Sequence, residues 1–475
     1  MSEDITFERS LSWKFGKKYD RNDLSRKQST ITALSWVEMI HGLELYLKIK
    51  NKKFKVSWII FLIISSIVSI YLTAYTVLEY FDEKTITLFT VKRTPTIPYH
   101  AMTFCPKFSD SYNVTSIKNM FYSIDKNMSE GDFNDLMIFL SAGGGFDDYQ
   151  DVVKTFDDDK YRKIEEVFSN IVSYFGSIEN VYHYIFNEEN FKCEDFFQEC
   201  YFGDIDKDCC EMFEEKFVLL RGKCFSMKMY NQTAPDEMDK LSLVLKPISS
   251  YYMESTGIQE QIIVYNSPRG KYIAVSPRYY IYGRDWNRFK FERNVYKLLK
   301  GNSNCNSDDN YDGFPMCFID SWLEEKLYNP YNCTFFYMTN SDKKYDICEP
   351  MTIVKNYSEI MTMKLQYLEC LQACNREEIT TDLVTRPYNY NLAGIKIDKN
   401  SRIRIEISYL RMEEYYYQEV GMTTPSGFIS EIGGHTGLFV GITMISVVQI
   451  IFKVSKYLYE EFSVLEVKNR NGVGL

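Results

Sequence analysis

The stretch from Ile432 to Thr443 places four glycines among apolar side chains, and glycine in that setting has two uses. In water each glycine weakens a helix by roughly 1 kcal/mol relative to alanine, so a simple membrane anchor would carry Leu or Ile instead. In a bilayer, glycines either let helix backbones approach closely or break the helix and free carbonyl groups to line an aqueous path. The spacing of Gly433, Gly437 and Gly441 fits close packing, and the sequence leaves both uses open.

These glycines lie in the second of two long uncharged stretches of the sequence. The two stretches cover residues 56–78 and 432–452, and each is long enough to cross a hydrocarbon core of ~30 Å. Both are predicted to be transmembrane helices. The first stretch begins after 55 mostly polar residues, so we expect an uncleaved anchor rather than a signal peptide.

The flanking charges predict the orientation of the two helices. Residues 1–56 carry 12 Lys or Arg against 7 Asp or Glu, and basic residues cluster at both predicted cytoplasmic ends: Lys48, Lys50, Lys52, Lys53, Lys55, Lys453 and Lys456. Because positive loops stay on the cytoplasmic side, both tails are predicted to be cytoplasmic in the plasma membrane. The formal net charge of −10 disfavours nucleic acid as a partner, and membrane lipid is expected.

Cysteines and glycosylation sequons give an independent view of the segment between the two stretches. All 12 cysteines lie there, which predicts disulfides in an oxidising compartment: Cys105, Cys193, Cys200, Cys209, Cys210, Cys224, Cys305, Cys317, Cys333, Cys348, Cys370 and Cys374. The same segment holds the N-x-S/T sequons at Asn113, Asn127, Asn231, Asn332 and Asn356. It is therefore predicted to be extracellular and glycosylated.

Together these observations predict a membrane protein with two transmembrane helices flanking a large disulfide-rich α+β ectodomain. The expected order is a cytoplasmic tail, the first helix, the ectodomain, the second helix and a second cytoplasmic tail, at residues 1–55, 56–78, 79–431, 432–452 and 453–475.

Local patterns predict several ectodomain elements. Apolar residues at helical spacing indicate a helix over 161–175 that ends at Gly176, and alternating or β-branched runs indicate strands at 241–245, 261–265 and 402–408. In the last strand Ile403, Ile405 and Ile407 share one face.

An acidic run follows three consecutive glycines in the same segment. We interpret the carboxylates between Asp147 and Asp159 as a solvated face, with cation binding or proton sensing as the alternative, and Gly143–Gly145 as a flexible loop.

No pattern of catalytic residues appears in the sequence. The four histidines, His41, His100, His183 and His435, are dispersed, so no zinc site, other metal site or cofactor is expected. The pair Cys370 and Cys374 fits a disulfide corner better than a metal site in this compartment. A phosphate-binding loop, a nucleophile elbow and a paired catalytic signature are all missing, which disfavours an enzyme.

Four motifs together resemble the degenerin/epithelial sodium channel/acid-sensing ion channel superfamily. They are Glu431–Thr443 at the second predicted span, His41-Gly42 before the first, Ala101–Cys105 after it, and Gly222–Phe225 in the ectodomain. The first motif is highly specific, and with the two-span topology the resemblance covers the chain except for the ends of its tails.

The resemblance implies a trimeric sodium or cation channel, homomeric or with related subunits. It implies block by amiloride and a hand-like ectodomain with palm, finger and thumb regions. Gly441, Ile442 and Thr443 match the tripeptide whose carbonyls select the permeant Na⁺. Ser430, Glu431, Gly433, Gly434, Gly437 and Gln449 match pore and gate positions. His41 and Gly42 match the cytoplasmic gating motif.

The resemblance also implies a disulfide pattern. It pairs Cys105 with Cys224 and Cys200 with Cys209, and leaves Cys193 and Cys210 to pair, as in insect pickpocket-like members. Three thumb bridges fit, Cys305–Cys374, Cys317–Cys370 and Cys333–Cys348.

Two departures from the family pattern bear on selectivity. Thr443 stands where Ser is usual, and Gln449 stands where many members carry Glu.

Two other classes of protein share the predicted two-span topology. A non-conducting accessory glycoprotein with two spans needs only the glycine packing and the disulfides. An ATP-gated trimeric channel shares the topology, but its cysteine order and basic ATP pocket differ. The resemblance leaves the activating stimulus open, because protons, peptides, small ligands and mechanical tethers all act on channels of this superfamily.

Overall fold

The computed structural model describes residues 43–267, 273, 275–283, 285–301, 305–338, 345–366, 369–387 and 402–441, and some of residues 443–459. The chain divides into two compact units. One contains residues up to Ile86 together with those from Gly421 onward, and the other runs from Thr87 to Val420.

Most of the described α-helices are short, and six of them have ten or more residues. The α-helices are Leu43–Lys48, Lys52–Phe81, Val114–Ile124, Glu130–Gly143, Gln150–Val153, Asp158–Phe175, Ile178–His183, Cys193–Phe196, Cys209–Met212, Phe314–Leu323, Asn329–Tyr331, Pro350–Lys355, Tyr357–Ile360 and Pro425–Val440. Two π-helical turns, Tyr184–Glu188 and Glu324–Tyr328, and a 3₁₀ turn, Asp236–Asp239, complete them.

The helix Lys52–Phe81, here the first helix, has 30 residues and is the one described helix that is long and apolar enough to cross a membrane. The side chain of Asn51 caps its N-terminus by accepting a hydrogen bond from the backbone N–H of Lys53 (3.1 Å). Its large apolar side chains point outward, and Ile67 and Ile70 are 60% and 69% exposed. Such a surface requires an apolar environment outside the chain.

The helix Pro425–Val440, here the second helix, differs from the span predicted over 432–452. It begins seven residues earlier, because Thr424 caps it by accepting from the N–H of Gly427 (3.0 Å) and Pro425 suits the first helical turn. It ends at Val440, because Gly441 adopts a left-handed conformation (φ 75°). Its 16 residues are fewer than the roughly 20 that span a bilayer. Further helical residues follow, among them Ile445 and Gln449.

The strands belong mainly to two sheets. In chain order they are β1 Thr85–Arg93, β2 Ile97–Pro98, β3 Ala101–Pro106, β4 Phe197–Phe202, β5 Ile205–Asp206, β6 Phe213–Val218, β7 Gly222–Met227, β8 Asn231–Gln232, β9 Leu241–Leu245, β10 Gln261–Ser267, β11 Arg278–Tyr282, β12 Asp285–Lys297, β13 Cys305–Asn306, β14 Cys333–Thr334, β15 Asp346–Ile347, β16 Gln372–Ala373, β17 Asn375–Pro387 and β18 Ile403–Gly421. The larger sheet has the order β17-β12-β18-β9-β4-β5, with β1 also on β18, and the smaller one β11-β10-β3-β7-β6.

Apolar side chains from both sheets form one core. Phe104 of β3 packs edge to face on Phe197 of β4, with ring centroids 6.3 Å apart. The predicted strands at 241–245, 261–265 and 402–408 are confirmed, and the last two are longer than predicted. Ile403, Ile405 and Ile407 are all buried, which confirms the face that they were predicted to share.

A second core lies among the helices of the same unit. The helix predicted over 161–175 is confirmed as Asp158–Phe175, and it buries Ile164, Val167, Phe168 and Ile171. Gly176 ends it with φ 83°, as its position after the apolar pattern predicts. A third core surrounds the buried Trp322.

Six disulfides join all 12 cysteines, and they are the six pairs that the resemblance implies. Cys105 of β3 bonds to Cys224 of the neighbouring strand β7. Its sequence separation of 119 residues makes this the longest loop, worth about 4–5 kcal/mol in the chain-entropy account.

Of two interpretations for the segment between the predicted spans, one is wrong and one is confirmed. Gly143–Gly145 is not a flexible loop: Gly143 ends a helix, and a Cβ there would lie 2.6 Å from the Cβ of Pro350. The acidic run is a solvated face, as interpreted: Asp147 is half-buried, and the other five carboxylates are exposed, namely Asp148, Asp151, Asp157, Asp158 and Asp159. Asp147 and Asp148 pair with Arg221, whereas Asp157 caps a helix by accepting from the N–H of Lys160 (2.8 Å).

Candidate pore and gate

The second helix has a defined start and a defined end. At its end the N–H of Gly441 donates to the carbonyl of Gly437 (3.1 Å), and the left-handed backbone of Gly441 turns the chain out of the helix. The conformation suits glycine because it has no Cβ. The sequence-predicted filter therefore begins at a break in the helix.

One face of the second helix has no neighbour among the residues that the structure describes. Ser430, Gly433 and Gly434 are exposed, and a Cβ added at either of these two glycines would meet no atom within 4 Å. The two glycines thus do not serve packing against the first helix. They leave a smooth surface to which something outside the chain can approach closely.

The other predicted pore residues are distributed along the same segment. Glu431 is exposed and Gly437 is half-buried, and Thr443 and Gln449 are both exposed. Ser430 precedes Gly441 by three helical turns, which corresponds to about 16 Å along the axis. Ile442, His41 and Gly42 lie outside the described residues.

The opposite face of the second helix packs on the first helix. Nε2 of His435 lies 3.3 Å from the hydroxyl oxygen of Thr76, and the rings of Tyr80 and Phe428 stack with centroids 4.2 Å apart. Sequence analysis did not identify these contacts. A signal was present, because Ser65, Ser69, Thr73 and Thr76 recur at helical spacing within the first apolar stretch.

The acidic run contributes to a cleft of about 440 Å³ in the unit Thr87–Val420. The buried Arg221 pairs with two of its lining residues, 3.3 Å from Oδ2 of Asp147 and 3.5 Å from Oδ2 of Asp148. Burial, with a smaller contribution from Asp147, raises the pKa of Asp148, and Arg221 opposes this shift. Among the residues that the structure describes, no group of three or more His, Cys, Asp or Glu is placed to hold a metal ion.

Comparison with known proteins identifies a family and several solved structures with distant similarity. The cryo-EM structure of a proton-activated chloride channel aligns with 84% of this chain and 99% of its own, at 6% identity and a TM-score of 0.31. This similarity is too low to support an argument. No curated protein matches the chain. The profile of the amiloride-sensitive sodium channel family matches residues 38–452, a match that includes both helices and the whole ectodomain. The chain therefore belongs to the amiloride-sensitive sodium channel family, a family of membrane ion channels rather than enzymes, as the resemblance to the degenerin/epithelial sodium channel superfamily predicted.

Proposed function

We propose that this chain is a subunit of a trimeric cation channel of the plasma membrane, which conducts Na⁺ down its gradient and is blocked by amiloride. Three copies, or this chain with related subunits, surround the ion path. Both tails are cytoplasmic, and the ectodomain receives the opening stimulus.

One observation carries the proposal: the second helix breaks at Gly441, and in the described part of the chain nothing covers the face of Ser430, Gly433 and Gly434. A face of small residues lets three helices converge on an axis. Where the helix breaks, backbone carbonyls lose their intrahelical partners and are available to replace the water around a cation.

The proposed ion-selective ring consists of the carbonyls of Gly441 and Ile442 together with Thr443. Thr443 keeps the hydroxyl that the family has at this position and adds a methyl group. Gln449 contributes no charge to the inner part of the path, so we expect weaker cation accumulation there than in members with Glu at this position.

The test is whole-cell recording from cells that express the chain, alone and with related subunits. Replacing external Na⁺ with a large organic cation should abolish inward current. Thr443→Leu should shift the reversal potential between Na⁺ and K⁺ or abolish the current at normal surface density. Thr436→Val is the matched control, because the Thr436 hydroxyl bonds within its own helix to the carbonyl of Ile432 (2.8 Å).

Two results would overturn the proposal. Reversal potentials that stay unchanged in Thr443→Leu would place the filter elsewhere. A chain that reaches the surface and carries no current in any subunit combination would be the accessory glycoprotein instead.

A further inference from the structure

The first helix buries polar residues and exposes apolar ones. Its buried residues among those described are Ser65, Ser69 and Thr76, which are 8%, 3% and 4% exposed. In a bilayer this arrangement is favourable, because lipid contacts the apolar side chains while hydroxyl groups find partners on another helix.

Both Ser69 and Thr76 contact one residue of the second helix, His435. The hydroxyl of Ser69 donates to the backbone carbonyl of His435 (3.4 Å), and the hydroxyl of Thr76 lies 3.3 Å from ring atom Nε2. A threonine hydroxyl can donate to Nε2 or accept from it, so either ring tautomer keeps this bond. An ionisable side chain at this depth in a membrane helix is costly and indicates a specific role.

Two more contacts hold the helices on the extracellular side of His435. Tyr80 stacks on Phe428, and the N–H of Met422 donates to the carbonyl of Lys84 (2.8 Å). Between these contacts and the helix break at Gly441, His435 forms two hydrogen bonds with the first helix. His435 is therefore placed to determine how the end of the second helix is rotated.

Helix geometry relates His435 to the small face. At about 100° per residue, the angle around the helix axis from His435 is about 160° for Gly433, about 200° for Gly437, about 220° for Ser430 and about 260° for Gly434. The small residues thus occupy the side opposite to the contact with the first helix. A rotation of the second helix about its own axis by about 100°, the angle between successive residues, would turn part of this face toward the first helix and away from the axis of the assembly.

We propose that His435 is a positioning residue that fixes the rotation of the second helix about its own axis. Its ring bonds to Thr76 and its carbonyl to Ser69, and these bonds keep the small face turned away from the first helix. The relevance of this rotation to the ion path rests on the proposed function, whereas the rotation itself can be measured without any current.

The measurement is disulfide formation in the variant Tyr80→Cys/Phe428→Cys, at the residues whose rings stack. All 12 native cysteines are paired, so no native thiol competes. In this background His435→Leu and Thr76→Val should each slow crosslinking at the cell surface by about three-fold, which corresponds to the ~0.6 kcal/mol average for hydrogen bonds between membrane helices. The double variant should be no slower than the slower single variant, because both changes remove the same bond.

Two variants act as controls. His435→Gln keeps a hydrogen-bonding side chain and should restore the crosslinking rate. Ser65→Ala removes a buried hydroxyl of the same helix that does not contact His435, and it should leave the rate unchanged. If His435→Leu does not reach the surface, Thr76→Val carries the test alone.

The outcomes separate the two proposals. An unchanged rate in Thr76→Val, or effects that add in the double variant, would overturn the positioning role of His435. If the wild-type chain carries no current but the crosslinking pattern holds, the proposed function fails and the positioning role stands. Where current is present, His435→Leu should also change the Na⁺ to K⁺ preference, and His435→Gln should not.

Discussion

Gly145 lies against the ring of Phe335 so closely that a Cβ at Gly145 would be 2.3 Å from two ring carbons. The backbone of Gly145 is left-handed, with φ 76°. The hydroxyl of Tyr337 donates to its carbonyl (3.1 Å). This contact joins the segment after the helix Glu130–Gly143 to the disulfide-bonded region around Cys333.

The first prediction is that Gly145→Ala destabilises the ectodomain. The added methyl group must displace the ring of Phe335, which costs ~1–3 kcal/mol, and the left-handed backbone adds ~1–2 kcal/mol. Gly176→Ala is the matched control, because Gly176 has φ 83° and nothing within 4 Å of an added Cβ. Thermal unfolding of the detergent-purified proteins should show the larger loss of Tm for Gly145→Ala, and equal losses would mean that the contact with Phe335 contributes nothing.

The wrong prediction for Gly143–Gly145 shows that contacts between distant segments could not be predicted from the sequence. A run of Gly predicts flexibility only when nothing packs against it, and the packing partners, Pro350 and Phe335, lie far along the chain. Patterns within one segment did predict the structure of that segment: the helix ending at Gly176 and the buried face of Ile403, Ile405 and Ile407. The disulfide pairs followed from the family resemblance and not from spacing.

For the candidate pore and gate too, the sequence was informative about features within one segment and not about contacts between segments. The four glycines between Ile432 and Thr443 marked this segment as unusual, because that signal lies within one apolar stretch, but their spacing left close packing and pore lining both open. The residue that faces the first helix, His435, was not identified, because its role depends on Thr76 in a different span.

Glycosylation provides the second prediction. Asn113, Asn127, Asn231 and Asn332 are exposed, whereas Asn356 is half-buried and its Nδ2, the atom that would carry the glycan, donates to the carbonyl of Thr352 (2.9 Å). We expect four glycans. On gels, Asn→Gln changes at the four exposed sites should each remove one mass step, and Asn356→Gln should remove none. A fifth step lost with Asn356→Gln would contradict this prediction.

A third prediction concerns the pH dependence of stability. Because burial raises the pKa of Asp148 in the folded protein above its unfolded value, the folded state binds this proton more tightly. The stabilisation is present below the unfolded pKa of about 3.8 and is lost as the pH rises through the folded pKa. The Tm of the wild type minus that of Asp148→Asn should therefore be more positive at pH 4 than at pH 7.

The control for this experiment is Asp151→Asn, since the Asp151 side chain is 94% exposed and forms a surface ion pair with Lys154. Its Tm difference from the wild type should change little between the two pH values. A difference for Asp148→Asn that is constant with pH would show that burial does not perturb this carboxyl.

The last prediction concerns the gate and starts from Ser430, which is exposed on the small face one helical turn before Gly433 and Gly434. If the second helices of three subunits converge on this face when the channel is closed, three copies of a large side chain at residue 430 must fit between them. Overpacking costs ~1–3 kcal/mol per copy, which is enough to bias a gate whose states differ by a few kcal/mol. Ser430→Phe should therefore give a constitutive, amiloride-blocked cation current without any stimulus. Ile429→Phe exchanges one large side chain for another at the neighbouring, 65% exposed position and should leave the channel closed at rest. Equal resting currents in the two variants would mean that the small face does not line the closed gate.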